Sequence, residues 1–187
     1  MTTDAEIAAA HTLRWIEEFV AGQELCPFAA PVLRDDSLRI RVCEGVEEAE
    51  WARGVLDELD LLQSTLEEDI ATSVLVFNRA LADFDDYLDF LGLAETLLDE
   101  CGLDGVIQIA SFHPDYCFEG VEESDVTNAT NRSPYPMLHF IREAALTRAL
   151  AHYPDPESIP ERNVERMRAL GAEQIAALFA RISAGSR

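Results

Sequence analysis

The sequence predicts an α/β fold: a small, mostly parallel sheet of three or more strands, flanked by about six helices in a single domain over residues 1–187. Two observations carry this prediction. After a first helix the elements alternate as strand, helix, strand, helix, strand, an order that favours a layered fold with a parallel sheet. The second strand candidate, TSVLVFN at 72–78, is a continuous apolar run typical of a strand buried on both faces.

The individual elements follow from periodicity and from the residues that end them. Residues 4–21 carry apolar side chains at helical spacing, and Gly22 suits the end of that helix. Pro27 then interrupts the chain, because it disfavours helical geometry at Cys26. The next elements are an alternating strand at SLRIRVCE (37–44), a helix at about 46–66, the apolar strand, a helix at 84–101 closed by Gly102, and a strand at GVIQIASF (105–112).

The segment 113–132 contains no obvious helix or strand, and loops of that length inside compact domains are often functional. After it, Ser133 is a good N-cap and Pro134 suits the first helical position, so we expect a helix from there to about His152. The turn-rich stretch YPDPESIP follows, and two shorter helices are predicted at 160–170 and 172–184.

The charge composition limits the classes of partner. The chain has 36 acidic residues against 14 basic ones, for a net charge of −22. Such a field repels nucleic-acid phosphates and anionic membrane surfaces, so neither is expected as a partner. All basic residues are Arg, which excludes a P-loop lysine and a Schiff-base lysine.

The N-terminal residues predict a cytoplasmic protein, because they lack the basic and apolar regions of a signal peptide. No apolar run approaches the length of a membrane span. The four Cys have no CxxC spacing and are expected to be reduced thiols. The sequence identifies no cofactor and no oligomeric state.

A first group of candidate site residues lies in HPDYCFEG (113–120), directly after the third predicted strand. In open α/β sheets, ligands bind beyond the carboxyl ends of the strands, so His113, Asp115 and Tyr116 are placed where a site would be. The alternative interpretation is a turn, with the backbone fixed by Pro114.

A second group lies in TNATNRSPYPMLHFIRE (127–143). The predicted helix N-terminus at Ser133, preceded by Arg132, would attract an anion. His139 and Arg142 would share one helical face, and an Arg fork binds carboxylate or phosphate. Further hydrogen-bonding candidates are Asn128, Asn131 and Tyr135. The alternative is that both Arg residues pair with nearby acids.

Cys26 is a third candidate, as a nucleophile or ligand assisted by His113 or His139. The alternative is a small buried apolar residue beside a turn. A metal site of Cys26, His113, Cys117 and His139 would lack any standard ligand spacing, so no metal is assigned.

Together, LCPFA, SFHPDY and TNRSPYPMLHFIRE resemble the motifs of a bacterial family, domain of unknown function 1415, over nearly the whole chain. The resemblance implies no particular reaction. The matched positions are Cys26–Phe28, His113–Tyr116, Thr130–His139, Arg142 and Glu143, whereas Cys117 stands where the family motif would have Gln.

Three functions remain open from the sequence. The first is a small-molecule enzyme or binding protein for an anionic carboxylate or phosphate ligand, with Cys26, His113 and His139 as candidate catalytic residues. The second is a non-catalytic adaptor, in which the Arg, His and Asn residues form an internal network that fixes a long loop. The third is a Cys/His metal protein. Convergence of the candidate residues on one concavity would separate these functions.

Overall fold

A computed structural model describes residues 2–151 and 153–184. Within them lie six α-helices and one four-stranded sheet. The helices are α1 (Asp4–Trp15, continued by a π-helical turn Ile16–Ala21), α2 (Ala29–Arg34), α3 (Glu48–Ser64), α4 (Phe84–Glu100), α5 (Glu143–Ala151) and α6 (Ile159–Ala184). The strands are β1 (Leu38–Cys43), β2 (Thr72–Phe77), β3 (Ile107–Phe112) and β4 (Met137–Arg142), and short 3-10 turns occupy Val126–Thr130 and Pro156–Ser158.

Local capping explains where the helices begin. Thr3 and Glu6 form a reciprocal capping box at the start of α1, and the Asp83 carboxylate accepts two backbone N–H groups at the start of α4. The helices predicted at 4–21, 46–66 and 84–101 and the three predicted strands are confirmed. The short helix α2, directly after the Pro27 break, was not predicted.

The prediction of a mostly parallel sheet is wrong. The strand order is β1-β2-β4-β3; β1 pairs with β2 in parallel, whereas β4 is antiparallel to both β2 and β3. The three predicted strands do run in one direction. The fourth strand lies between two of them in the opposite direction and replaces their parallel pairing with two antiparallel ones.

This fourth strand corrects the helix predicted from Ser133 to about His152. Residues Met137–Arg142 are extended, and only α5 is helical. The Ser133 hydroxyl donates to the Tyr135 carbonyl at 2.6 Å instead of capping a helix. The predicted helical face of His139 and Arg142 does not exist, because residues three apart in a strand point to opposite sides of the sheet. His152 lies outside the described residues.

The C-terminal prediction of two short helices is confirmed by a break inside α6. Gly171 has φ 74° and ψ 163°, a conformation that disfavours any residue with a Cβ, and the helix changes direction there.

Helices cover both faces of the sheet. On the first face, α3 and α4 pack against side chains that include Leu75, Phe77 and Phe140. On the second face, α1 and α6 pack against side chains that include Val74, Val76 and Met137. The candidate site lies on the second face. Among the described residues, no helix is long and apolar enough to cross a membrane.

Candidate functional site

A cavity of about 280 Å³ lies on the second face of the sheet. Its floor is formed by alternate residues of three strands, and its walls come from the end of the first helix, the Cys26–Ala29 segment and α5. We call it the Cys26–His139 cavity. Its lining residues are Trp15, Ile16, Val20, Leu25, Cys26, Pro27, Phe28, Ala29, Val32, Leu38, Thr72, Val74, Gln108, Ala110, Phe112, Met137, His139, Ile141, Leu146, Leu150 and Ile159.

Cys26 reaches this cavity because the chain turns there. The first helix ends at Ala21, Pro27 prevents it from resuming at Cys26, and α2 begins at Ala29. Burial raises the pKa of the Cys26 thiol, an effect that outweighs the opposing hydrogen bonds from the backbone N–H groups of Phe28 and Ala29. The thiol is therefore protonated at neutral pH.

His139 lies in β4 at the floor of the cavity, opposite Val74 of β2 and Ala110 of β3. Its Nε2 lies 2.7 Å from the Thr72 hydroxyl, and that hydroxyl donates to the Phe140 carbonyl at 2.7 Å. Since the hydroxyl has a single proton, Nε2 must be the donor to Thr72. Nδ1 then carries the lone pair, and it has no hydrogen-bond partner among the described residues. Burial lowers the pKa of His139 from 6.5 to about 4.

Two further polar side chains in the wall are unpartnered. Trp15 is 2% exposed, its ring packs edge-on against Phe112, and its Nε1–H has no acceptor within the described part of the chain. The Gln108 amide, directly after the start of β3, makes no side-chain hydrogen bond to any described residue. A buried donor without a partner is destabilising, so the Trp15 N–H points to a function other than folding. The Gln108 amide is half-buried and is a second polar group that a ligand could contact.

His113 does not share the cavity, which corrects its predicted role beside Cys26. It is fully buried, and its ring packs against Phe84 and Tyr87. Nε2 donates to the Leu81 carbonyl at 2.9 Å, and Nδ1 accepts from the Asp115 backbone N–H at 3.0 Å. With both nitrogens bound inside the protein, His113 has no atom left for a substrate or a metal ion.

The Asn and Arg residues of the second predicted group fix the long loop. Asn128 is fully buried; its amide donates to the Glu122 and Glu123 carbonyls, and its oxygen accepts from the Phe118 N–H. Asn131 donates to the Ser111 carbonyl at 3.1 Å. Arg132 donates to the Tyr116 and Glu123 carbonyls at 3.1 and 2.8 Å. These contacts match the internal network of the adaptor hypothesis.

The other predicted binding residues are also dispersed. Arg142 donates to the carbonyls of Thr65 and Ile70 beyond the end of α3, on the opposite face of the sheet. The Tyr135 hydroxyl lies 3.0 Å from Nδ1 of His11. Asp115 is exposed, Tyr116 packs against Phe84, and Ser133 is buried in its turn. A single cationic pocket of Arg132, Arg142 and His113 is therefore not formed.

Some of these residues line two other cavities nearby. A second cavity, of about 510 Å³, is lined by Asn131 and shares Cys26 with the first. A third, of about 270 Å³, lies between the loop and α6 and is lined by Arg132 and Asp125. Cys26 thus shares one cavity with His139 and another with Asn131.

Sequence reasoning missed Trp15, Thr72 and Gln108. Gln108 gave the clearest signal, since it is the one amide in the apolar strand GVIQIASF. Trp15 and Thr72 look like ordinary members of a helix and a strand, and only the three-dimensional structure places them at the cavity.

The residues do not support the metal hypothesis. Within 2–151 and 153–184, no group of three or more His, Cys, Asp or Glu side chains is arranged to hold a metal ion. The Cys117 thiol instead donates to the Val121 carbonyl at 3.2 Å, which keeps it inside the loop.

The fold and the cavity together define a mixed α/β protein with an apolar cavity on one face of its sheet. The family described as protein of unknown function (DUF1415) matches residues 7–177, so the chain belongs to that family, as its motifs predicted. No curated protein and no solved structure matches the chain.

Proposed function

We propose that the protein binds a small, neutral, predominantly apolar molecule in the Cys26–His139 cavity. One observation carries the proposal: a mostly apolar wall contains the buried N–H of Trp15, which has no acceptor, together with the Gln108 amide and Nδ1 of His139, which bond to no described residue. Apolar cavities with a few placed polar groups are the usual form of small-molecule sites, in which the polar groups orient the ligand.

The polar groups define the hydrogen bonds that a ligand would make. His139 offers a lone pair at Nδ1 and Trp15 offers a donor, whereas Gln108 offers both. A ligand that carries one group able both to donate and to accept, such as a hydroxyl or a primary amide, would satisfy them. The rest of that ligand would be hydrocarbon, since Val74, Ala110 and similar side chains form most of the surface.

The charge of the cavity favours a neutral ligand over the anionic one predicted from the sequence. None of the described residues that line it is Arg, Asp or Glu. A carboxylate placed there would lose its hydration without gaining a cationic partner, which is strongly unfavourable.

The protonation states favour binding over nucleophilic catalysis. The raised pKa of Cys26 and the lowered pKa of His139 both disfavour a thiolate–imidazolium pair. At neutral pH the two groups remain a thiol and a neutral imidazole, and an imidazole with a pKa of about 4 is a weak base.

Thermal-shift measurements with neutral aliphatic and aromatic alcohols and amides test this function. We expect members of the panel to raise the melting temperature in a concentration-dependent way. Ala110→Phe should abolish the shift, because Ala110 lies beside His139 on the floor of the cavity. Ala172→Phe is the matched control, since Ala172 lines the third cavity, and it should retain the shift. If the panel gives no shift, or if the shift survives Ala110→Phe, the proposal is wrong.

Anion binding is a second candidate, at the third cavity. Arg132 lines that cavity, and its Nη1 has no hydrogen-bond partner among the described residues. The carboxylate of Asp125 in the same wall opposes an anion. Titration with inorganic phosphate tests this candidate: a stabilisation that Arg132→Gln removes would support it, and no stabilisation would end it.

A further inference from the structure

The second cavity adjoins the Cys26–His139 cavity across a common wall. Five residues line both: Val20, Leu25, Cys26, Phe112 and Ile159. The second cavity extends from this wall towards the 113–132 loop and the start of α6, where its other lining residues are Phe118, Val121, Thr127, Thr130, Asn131, Pro160, Asn163 and Val164.

The second cavity has its own polar end. Asn163 donates its amide N–H to the Leu25 carbonyl at 2.9 Å, which fixes the side chain. Its Oδ1 has no hydrogen-bond partner within the described part of the chain, so it is available as an acceptor. Asn131 and Thr130 bond to each other at 3.3 Å beside it.

Both cavities are lined by described residues without an acidic or Arg side chain. In a chain of which 27% of residues are charged, no Asp, Glu or Arg lines either cavity among the described residues. The five residues of the common wall are Val, Leu, Cys, Phe and Ile, so the boundary between the two cavities is apolar. From one end of the combined cavities to the other, the lining is therefore polar at His139, apolar at Cys26 and polar again at Asn163.

We infer that one ligand occupies both cavities: an uncharged molecule with two hydrogen-bonding ends joined by an apolar middle segment that passes Cys26. The inference rests on the proposed function and specifies its ligand class. One end bonds to Gln108 and to Nδ1 of His139. The other end donates to Oδ1 of Asn163, and the apolar segment packs between Leu25 and Phe112.

Linear alcohols of matched length test this ligand class. Isothermal titration calorimetry would compare each α,ω-diol, from butanediol to dodecanediol, with the 1-alkanol of the same number of carbons. Short diols should bind no more tightly than their alkanols. Above the length that reaches Asn163, the diol should bind about fivefold more tightly, the effect of one net hydrogen bond.

Two variants decide whether the second cavity causes that difference. Asn163→Leu should bring the affinity of the long diol down to that of its alkanol. Val164→Phe should fill part of the second cavity, so that long diols lose affinity while the shortest alkanols keep it, because Val164 lines the second cavity and not the first. If Val164→Phe does not fold, the Asn163→Leu comparison alone is sufficient.

The outcomes separate the two proposals. Equal affinities of diols and alkanols at every length, or a diol advantage that survives Asn163→Leu, would overturn the two-cavity ligand. Binding of short alkanols that Ala110→Phe abolishes would then still support the proposed function. If neither series binds, both proposals fail.

Discussion

The two histidines of the family motifs, His113 and His139, have opposite environments in the same sheet. His113 follows β3, is fully buried, and has both ring nitrogens bound to backbone groups. His139 lies in β4 with one nitrogen bound to Thr72 and the other at a cavity. Both were predicted to take part in one site. The difference teaches that a histidine in a motif can stabilise a loop as readily as it can contact a ligand.

The same contrast extends to the residues around each histidine. Near His113, the polar side chains of Asn128 and Arg132 bond to loop carbonyls. Near His139, the polar groups of Trp15 and Gln108 have no partner among the described residues. The first region uses its polar groups for stability. In the second region those groups remain available, which is why the proposed function is located there.

His113→Ala should have the largest effect on stability. The substitution removes a buried ring packed against Phe84 and Tyr87 and leaves the Leu81 carbonyl without its donor. We expect a loss of about 3–5 kcal/mol in the free energy of unfolding, measured by urea denaturation. His139→Ala is the control and should lose less, because its ring already borders a cavity. Equal losses would contradict the contrast.

His139 should make a contribution of its own to the pH dependence of stability. The unfolded state takes up a proton near the ordinary pKa of 6.5, whereas the folded state resists protonation down to about 4. Between these values the unfolded state binds more protons, so stability falls as the pH falls, by on the order of 3 kcal/mol in total, and the effect is constant below about 4.

The measurement for this second prediction is the difference in unfolding free energy between the wild type and His139→Gln at a series of pH values. The difference isolates His139 from the many carboxylates. Glutamine keeps an N–H donor for Thr72. The wild type should lose stability relative to the variant between about pH 6.5 and 4; parallel curves would show that burial does not set the pKa of His139.

The sequence predicted the long amphipathic helices of this fold correctly, but it did not predict the fourth strand. Long amphipathic periods located α3 and α4, and the break at Gly171 separated the halves of α6. The segment that became β4 carried a misleading signal. Ser133 and Pro134 suit a helix start and also suit a turn, and a short apolar run is ambiguous between helix and strand. Pairing with β2 and β3 resolves that ambiguity, and this pairing is not local.

The sequence identified only some of the residues that line the Cys26–His139 cavity. Cys26 and His139 do line one cavity, and both were among the predicted residues. Their joint position depends on β4, a segment that was predicted as part of a helix. Arg142 was expected beside His139, but the strand geometry sends it to the opposite face, where it binds the carbonyls of Thr65 and Ile70.

The third prediction concerns the reactivity of the cysteine thiols. Cys26 is half-buried and its pKa is raised by burial, whereas Cys101 is exposed at the end of α4. With N-ethylmaleimide near neutral pH, Cys101 should react more than about tenfold faster, as peptide mass spectrometry can measure. A long diol should slow the labelling of Cys26 further and leave Cys101 unaffected. Faster labelling of Cys26 would mean an activated thiol and would favour catalysis.

Gln108→Leu should have the smallest effect on stability. It is also the most informative variant, because it separates a role in binding from a role in folding. The Gln108 amide bonds to no described residue, so its loss removes no intramolecular hydrogen bond, and leucine adds apolar contact with the cavity wall. We expect the free energy of unfolding to change by no more than about 0.5 kcal/mol, or to rise slightly. Binding of a hydroxyl ligand should nevertheless weaken about fivefold.

This combination would separate a binding residue from a structural one, because a residue retained for folding loses stability on substitution, whereas one retained for a ligand loses affinity alone. Ser133 provides the comparison. It is similarly polar and is buried, and its hydroxyl donates to the Tyr135 carbonyl. Ser133→Ala should lose about 1 kcal/mol without changing ligand affinity. A destabilised Gln108→Leu with unchanged affinity would assign Gln108 to the fold and leave His139 and Trp15 as the orienting groups of the cavity.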